Sequence, residues 1–232
     1  MNHLQINNFI SSKFKTFIQI SDSLSLSQKK CYNFLLSITK IQIEKLKSQG
    51  EKFNYNKFKI KAKYLLEFFD FGEKNYHYLR NMMEQLTKTT VKYKISEHKW
   101  GAFNLLAGFE YKYGYIYFSF PHQILDNIIK INCYSLKNLQ DIKNFKSKYS
   151  LVLYELLGNF KDVNEFTLSI NYLKKIMKIK ENQYKIITMF RKRVLDPAVK
   201  EINSLGKMQF KLDFHLIKSG KKYLYVKFIK IF

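Results

Sequence analysis

The feature that most constrains the fold of this chain is an internal repeat, because a repeated segment has to build the same supersecondary unit twice. Residues 58–86 align with residues 166–194 at a constant offset of 108 and without a gap. Apolar positions coincide along the alignment, which chance similarity in a chain rich in Tyr, Phe and Leu does not readily produce. The identical pairs are Phe58 and Phe166, Tyr64 and Tyr172, Leu65 and Leu173, Glu73 and Glu181, and Tyr76 and Tyr184.

The same order of elements surrounds each copy of the repeat. A helix precedes the first copy, with Ser27 as its N-cap and Gly50 as its C-terminal stop, and a second long helix ending at Gly158 precedes the other. Each copy then predicts a short strand, a helix, a tight turn, a second helix and strands with two-residue alternation. In the first half these segments read FKI, KAKYLLEFF, NYHYLRNMMEQL, VKYKIS and FEYKYGYIYFSF, with a turn at Tyr113 and Gly114. In the second half they read FTL, SINYLKKIM, QYKIITMFRKRVLDPAVKEIN, MQFKLDFHLI and KKYLYVKFIKIF, with a turn at Ser219 and Gly220.

This order predicts an α+β fold of two tandem winged-helix domains, each a helix-turn-helix plus a β-hairpin, joined by a long helix. Residues 1–134 form the first domain, and residues 135–232, which include the linker helix 135–158, form the second. In DNA-binding proteins of this architecture the second helix enters the major groove and the hairpin, or wing, lies along the backbone. The fold therefore predicts a protein that binds duplex DNA.

The charge balance also favours a polyanionic partner. The chain carries 41 Lys and Arg against 18 Asp and Glu, a formal net charge of +23. An AT-rich genome explains why lysine outnumbers arginine, but it does not explain why basic residues outnumber acidic ones. Residues 1–144 carry a net charge of +11 and residues 145–232 one of +12, so both halves face the same kind of partner. The resulting field raises encounter rates with nucleic acid.

The sequence predicts a cytoplasmic protein with no membrane partner. No apolar run approaches the ~20 residues that cross a bilayer. The N-terminus lacks the continuous apolar core and the small-residue cleavage site of a secretory signal. Cys31 and Cys133 lie far apart in mostly apolar surroundings, which favours two buried thiols in a reducing compartment over a disulfide.

The sequence does not carry the patterns of enzymes that act on nucleic acid. Its histidines are too far apart for a local metal site, and neither cysteine has a histidine nearby. It lacks the His-hydrophobic-His pair of rolling-circle initiators, which nick DNA with a tyrosine, and it lacks the phosphate-binding loop GxxxxGK[ST]. We therefore expect a binding protein with no catalytic residue, no metal and no cofactor. The histidines are His3, His77, His98, His122 and His215.

The chain resembles the replication initiator (Rep) proteins of iteron-containing plasmids, over nearly its whole length from Leu24 to Phe232. The most specific segment is FRKRVLDPAVKEIN, which is followed by a hairpin that contains SGKKYLYVKF. Supporting segments are KSKYSLVLYELL ahead of the second domain, and the run from Trp100 to Phe103 that leads into GYIYFSF and PHQIL. Each segment alone would be weak, whereas their order and spacing together are specific.

The resemblance implies monomers that bind directly repeated iterons in the duplex DNA of a plasmid origin. It implies dimers, in equilibrium with the monomers and paired through the first domain, that repress the protein's own gene. It also implies the host initiator ATPase and the replicative helicase as partners. Two other classes stay open: a winged-helix transcriptional repressor without initiator activity, and an RNA-binding or nucleic-acid-packaging protein.

The second helix of the second copy is predicted to present a basic face. Steps of 100° per residue from Phe190 place four apolar residues within about 120° on one side, which is the buried face. Arg191 falls at the flank of this face. The four apolar residues are Ile187, Val194, Ala198 and Ile202, and the opposite side carries Lys185, Met189, Lys192, Arg193, Asp196 and Lys200.

Pro197 predicts an irregularity in the same helix. Proline cannot donate an amide hydrogen and crowds the preceding turn, so we expect a kink or a break there. Asp196 could then cap a second helical segment that starts at Pro197.

Arginine is rare in this chain, and its positions indicate where DNA sequence is read. Of the three arginines, Arg191 and Arg193 lie on the basic helix and Arg80 lies on the equivalent helix of the first domain. A guanidinium fork can bond O6 and N7 of guanine at once, whereas the alternative is that the arginines only clamp phosphates. For Arg80 the alternative is an i,i+4 ion pair with Glu84. The candidate DNA contacts are Lys185, Thr188, Arg191, Lys192, Arg193, Lys218, Lys221, Lys222, Arg80 and His77.

The segment FEYKYGYIYFSF is the predicted dimer contact of the first domain. Strongly β-forming strands that end at a sheet edge can pair with a second subunit. The alternative is that its aromatic residues only pack in the core.

Overall fold

The chain folds into two compact units that divide between Lys143 and Asn144. The boundary predicted between residues 134 and 135 lies outside the described residues. The computed structural model describes residues 24–50, 57–72, 75–130, 136–160, 162–205 and 209–232.

The first unit combines helices with a three-stranded sheet and a separate hairpin. Strand β3 and helix α4 were not predicted, because KWGAFN carries a glycine and only a short alternation, and the helix around PHQIL is brief. The elements are α1 (Leu26–Ser48), β1 (Phe58–Lys61), α2 (Ala62–Phe68), α3 (Tyr76–Lys88), β2 (Thr90–Ser96), β3 (Lys99–Asn104), β4 (Gly108–Lys112), β5 (Tyr115–Ser119), α4 (His122–Lys130) and α5 (Leu136–Asn144).

The N-cap of helix α1 lies two residues earlier in the sequence than Ser27, so the prediction of Ser27 as the N-cap is wrong. The N-cap is Ser25, whose hydroxyl accepts from the backbone N–H of Gln28, while the Gln28 side chain accepts from the backbone N–H of Ser25. This reciprocal pair needs Gln or Glu three residues after the cap, and the residue three after Ser27 is Lys30. The predicted stop is confirmed, since Gly50 has a φ of 69° just beyond the helix.

The second unit repeats the plan of the first with a longer wing. The predicted linker helix over 135–158 is interrupted, because the Ser147 side chain caps a new helix by accepting from the N–H groups of Tyr149 and Ser150. The elements are α6 (Lys148–Leu157), β6 (Glu165–Ser169), α7 (Ile170–Ile176), the second helix of the motif (α8), and the wing strands β7 (Lys211–Ser219) and β8 (Lys222–Ile231). Helix α8 consists of Ile187–Phe190, a wide π-helical turn at Arg191–Leu195, and Asp196–Ser204.

The sheets of the two units have the same topology, which confirms the internal repeat as a structural one. The order is β1-β5-β4 in the first unit and β6-β8-β7 in the second, and all pairs are antiparallel. Phe58 lies opposite Phe118, and its counterpart Phe166 lies opposite Phe228. Both aromatic pairs are buried in the core beneath the helices.

The tight turn of each helix-turn-helix also repeats. Two residues beyond the end of α2 lies Asp70 with a φ of 54°, and two residues beyond the end of α7 lies Lys178 with a φ of 51°, 108 positions later. In both turns the residue after this left-handed one bonds back five residues: the Phe71 N–H donates to the Leu66 carbonyl, and the Ile179 N–H donates to the Lys174 carbonyl. These are Schellman motifs, which stop a helix and reverse the chain. The repeat therefore sets the geometry between the two helices of each motif.

The first hairpin turn lies where the sequence predicted it, and the second lies one residue later, at Gly220 and Lys221. Tyr113 and Gly114, with φ of 49° and 78°, connect β4 to β5, and this pair of left-handed residues matches the twist of the strands. Gly220, with a φ of 61°, lies in the turn between β7 and β8.

Candidate nucleic-acid interface

Helix α8 begins at Ile187, four residues after the predicted start at Gln183. Tyr184 has a φ of 48° and therefore cannot continue a right-handed helix. Lys185 consequently lies in the connection ahead of α8, where it is exposed, instead of on the helix. Thr188 is exposed on the first turn.

The predicted faces of α8 are present. Phe190, Val194, Ala198 and Ile202 are buried, and Ile187 is half-buried. Two further apolar residues join the buried face, Leu195 and Val199. The residues predicted on the opposite side are exposed: Lys185, Met189, Lys192, Arg193, Asp196 and Lys200.

Of the kink or break expected at Pro197, the break is absent and the kink stays a prediction, while the N-cap role expected for Asp196 is wrong. Asp196 has helical backbone angles, φ −57° and ψ −47°, whereas an N-cap has extended ones. The irregularity is the wide turn just before it, in which the N–H of Asp196 bonds to the carbonyl of Arg191, five residues earlier. Such a turn lets a helix continue through a proline without a break.

The two arginines of α8 occupy different environments. The Nε of Arg191 donates to the carboxylate of Asp196 at 3.3 Å, and its guanidinium lies 5.7 Å from the ring centroid of Phe214 on wing strand β7. Arg193 is exposed, and it has no hydrogen-bond or ion-pair partner among the residues that the structure describes. Arg191 is thus held between helix and wing, while the fork of Arg193 is available for a ligand.

Two side chains that the sequence did not single out fix the position of α8. Asn203 spans to wing strand β7, where its amide oxygen accepts from Leu212 N–H at 2.8 Å and its nitrogen donates to the Leu212 carbonyl at 2.9 Å. At the other end, Lys174 Nζ donates to the Tyr184 carbonyl at 2.7 Å and lies 5.3 Å from the ring of Phe190. Burial lowers the pKa of Lys174. In the sequence, the positions of Asn203 near a helix end and of Lys174 one turn before a helix stop are the signals by which these two contacts could have been found.

The wing carries exposed lysines at its tip. Lys218 pairs across the strands with Tyr223, and its ammonium group lies 5.0 Å from that ring. Lys221 lies in the turn and Lys222 begins β8, and both are exposed. The helix and the wing of the second unit therefore each present basic side chains, which suits contact with the phosphates of one duplex.

In the first unit, the equivalent helix α3 carries mostly paired charge. Arg80 Nε donates to Glu84 at 2.8 Å, and Lys88 approaches the same carboxylate at 3.4 Å. The bond from Arg80 holds the pKa of Glu84 below its usual range. The ion pair named as the alternative role of Arg80 is thus present, and a DNA contact by Arg80 or by the exposed His77 stays a prediction.

A cavity of about 490 Å³ lies between α3 and the hairpin β4–β5. Its lining is largely apolar and aromatic, and it includes the two side chains His77 and Arg80 that the sequence proposed for DNA contact. Strand β4 lies at an edge of its three-stranded sheet, which is the condition under which the sequence placed a dimer contact there.

Among the described residues, no group of three or more His, Cys, Asp or Glu side chains is placed to hold a metal ion. In the described part of the chain, none of the helices has the length and apolarity to cross a bilayer. The thiol of Cys31 is buried and free, whereas Cys133 lies outside the described residues.

Comparisons with known proteins agree with this geometry. Residues 10–158 match the family described as initiator replication protein, WH1, and residues 169–231 match the one described as initiator Rep protein, WH2. Among solved structures, the Pi initiator protein in complex with iteron DNA is similar with a TM-score of 0.67 and 19% identity, covering 94% of this chain and 95% of that one. Domains 2 and 3 of RctB are similar with a TM-score of 0.55 and 11% identity, covering 90% and 82%. No curated protein is significantly similar in sequence.

Proposed function

The chain belongs to the initiator Rep protein family, with its WH1 and WH2 domains in order, and from this membership we propose that it is a plasmid replication initiator that binds iterons. The single observation that carries the proposal is the exposed basic face of α8 within a family of DNA-binding initiators. Lys192 and Arg193 point away from a face of six largely buried apolar residues. A helix-turn-helix presents this part of its second helix to base edges in the major groove.

We divide the proposed DNA contacts of the second unit into those that position the protein on the duplex and those that read its base sequence. Phosphate contacts fix the register of a protein on DNA, and base contacts supply the specificity. We assign phosphate contact to the wing lysines Lys218, Lys221 and Lys222 and to Lys185, because they are exposed and their positive charges need no fixed orientation. We assign base contact to Arg193, whose fork has no described partner, and a supporting contact to Thr188.

Lys192 and Arg191 take intermediate roles in this proposal. Lys192 is exposed beside Arg193 and adds charge close to the groove. Arg191 bonds to Asp196 and contacts Phe214, so we propose that it holds the wing against the helix and touches a phosphate at most.

For the first unit we propose backbone contact and dimerisation. Strand β4 has an unpaired edge within its sheet, and such an edge can pair with the same strand of a second copy. The resemblance to plasmid initiators supports a dimer in equilibrium with the monomer, repression of its own gene by that dimer, and recruitment of a host initiator ATPase and helicase. We propose that it acts in the cytoplasm, where a plasmid origin lies.

The proposal is tested by a nuclease footprint of the full chain on the DNA that flanks its gene. We expect protection of several direct repeats, each about two helical turns long, beside an AT-rich stretch. Protection of one inverted repeat at the promoter, with no direct repeats, would favour a winged-helix repressor. Uniform protection of all DNA and equal binding of RNA would favour a packaging protein.

A further inference from the structure

The wide turn at Arg191–Leu195 interrupts an otherwise α-helical recognition helix at the point where its basic residues lie. A π-helical turn holds about 4.4 residues, or about 80° per residue, against 100° in an α-helix. It therefore changes the direction of every side chain within it. Turns of this kind are frequently found at functional sites.

The burial of the helix fits the wide turn and not a uniform α-helix. With 100° per residue, Leu195 and Val199 would lie about 140° and 180° from Phe190, on the solvent side. With the wide turn they lie about 50° and 90° from Phe190. Both are buried, Leu195 fully and Val199 with 8% of its surface exposed. The core thus requires the extra residue in this turn.

The same change of angle redirects Arg193. In a uniform α-helix Arg193 would lie about 60° from Phe190, just outside the edge of the buried face. With the wide turn it lies about 115° away, and it is exposed. Arg191 stays at the opposite edge, where it meets Asp196 and Phe214.

Pro197 disfavours the uniform alternative. In an α-helix its ring would crowd the carbonyl of Arg193, four residues earlier, and it has no N–H to offer that carbonyl. The wide turn ends immediately before Pro197, with Asp196 already bonded to a carbonyl five residues back. Proline and wide turn are therefore coupled.

We propose that the wide turn and Pro197 together determine DNA-sequence specificity by aiming Arg193 at the bases, with Pro197 as a positioning residue that does not touch DNA. This inference rests on the proposed function, because it assumes that α8 reads DNA. A base contact tolerates only small errors in position, on the order of 10–20°. A turn with one residue fewer displaces Arg193 by about 45° around the helix axis, from about 245° to about 200°.

The test compares a chain that lacks Lys192 with the substitution Lys192→Ala. Both remove the same charge, but only the deletion converts the wide turn into an α-helical one, and it keeps Phe190, Val194 and Leu195 on one face. Two duplexes serve as probes: one selected by the wild-type chain from a random pool, and one of random sequence and equal length. Thermal unfolding of each variant is measured alongside.

We expect the deletion to weaken binding to the selected duplex at least tenfold more than Lys192→Ala does, with equal binding of both variants to the random duplex. If the deletion weakens binding to both duplexes equally, the inference is wrong. The proposed function would still stand in that case, as long as the wild-type chain prefers the selected duplex to the random one. If the wild-type chain selects no sequence, the proposed function fails instead.

If the chain that lacks Lys192 does not fold, a second variant tests the same inference. Pro197→Ala supplies the missing N–H and lets the uniform helix compete, which lowers the fraction of chains with Arg193 in place. We expect at least a threefold loss on the selected duplex and no change on the random one. Unchanged affinity for both duplexes would overturn the inference.

Discussion

Replacing Arg193 with lysine removes the fork and keeps the charge, so it separates base reading from phosphate contact. Arg193 is exposed, and among the described residues it has no partner that the substitution would leave unpaired. We therefore expect the midpoint of thermal unfolding to stay within about 2 °C, since exposed substitutions of this kind change stability by less than about 0.5 kcal/mol.

The expected loss follows from the chemistry of one base pair. A bidentate arginine–guanine contact discriminates by about 1–3 kcal/mol, and about 1.4 kcal/mol corresponds to a tenfold change in Kd. Arg193→Lys should thus weaken binding to the selected duplex by about 5- to 150-fold. Binding to a random duplex should change less than about twofold, because its phosphate contacts depend on charge.

Fluorescence anisotropy with both duplexes at a fixed 0.15 M salt measures this difference. A series of further duplexes, each with 7-deazaguanine in place of one guanine of the selected sequence, removes one N7 acceptor at a time. When the guanine that Arg193 reads is replaced, the wild-type chain should bind the modified duplex more weakly than the unmodified one. The Arg193→Lys variant should bind the two duplexes equally. Equal losses of the variant on selected and random DNA, or an additive loss on every modified duplex, would refute the reading role.

Four further predictions concern other parts of the chain. Alanine at Lys221 or Lys222 should weaken selected and random binding equally and flatten the slope of log K against log salt by about 0.9 each; a change in specificity would contradict a phosphate role. Asn203→Ala should lower the free energy of unfolding by about 1–3 kcal/mol, because it leaves the N–H and carbonyl of Leu212 without their partner, and denaturant unfolding that shows no loss would contradict this. Arg80→Ala should shorten the footprint if the first unit contacts DNA, whereas an unchanged footprint and affinity would leave Arg80 only its bond to Glu84. Burial raises the pKa of the Cys31 thiol to about 12, so a thiol reagent at pH 8 should label it only in denaturant, and rapid labelling of the native chain at Cys31 would contradict its burial.

The strand, helix-turn-helix and hairpin of each unit could be predicted from the sequence because the same pattern occurs twice in it. Phe58 and Phe166 occupy the same place in the two sheets, and the helix stops at Asp70 and Lys178 repeat at the same offset. Apolar periodicity also predicted the buried face around Phe190. Local sequence patterns of this kind agree with the final structure because the packing of each unit depends on the same residues.

Other features could not be predicted from the sequence, because tertiary packing overrides the local pattern at those residues. A uniform angle of 100° per residue places Leu195 and Val199 outside the buried face. The free energy gained by burying both side chains depends on the core around α8, which the local sequence pattern does not show. Asp196 looked like a cap beside Pro197, but the wide turn keeps the helix continuous. Asn203 is an ordinary helix-end residue until the wing brings Leu212 within reach.

The central claim, sequence-specific binding of repeated duplex DNA, is tested most directly by the ratio of two affinities. The full chain is titrated at 0.15 M salt against a duplex carrying one direct repeat from its own plasmid and against a random duplex of equal length. We predict a preference of at least about 1000-fold, in the range of specific DNA-binding proteins. A preference below about tenfold would place the chain among general nucleic-acid-binding proteins and would contradict the account.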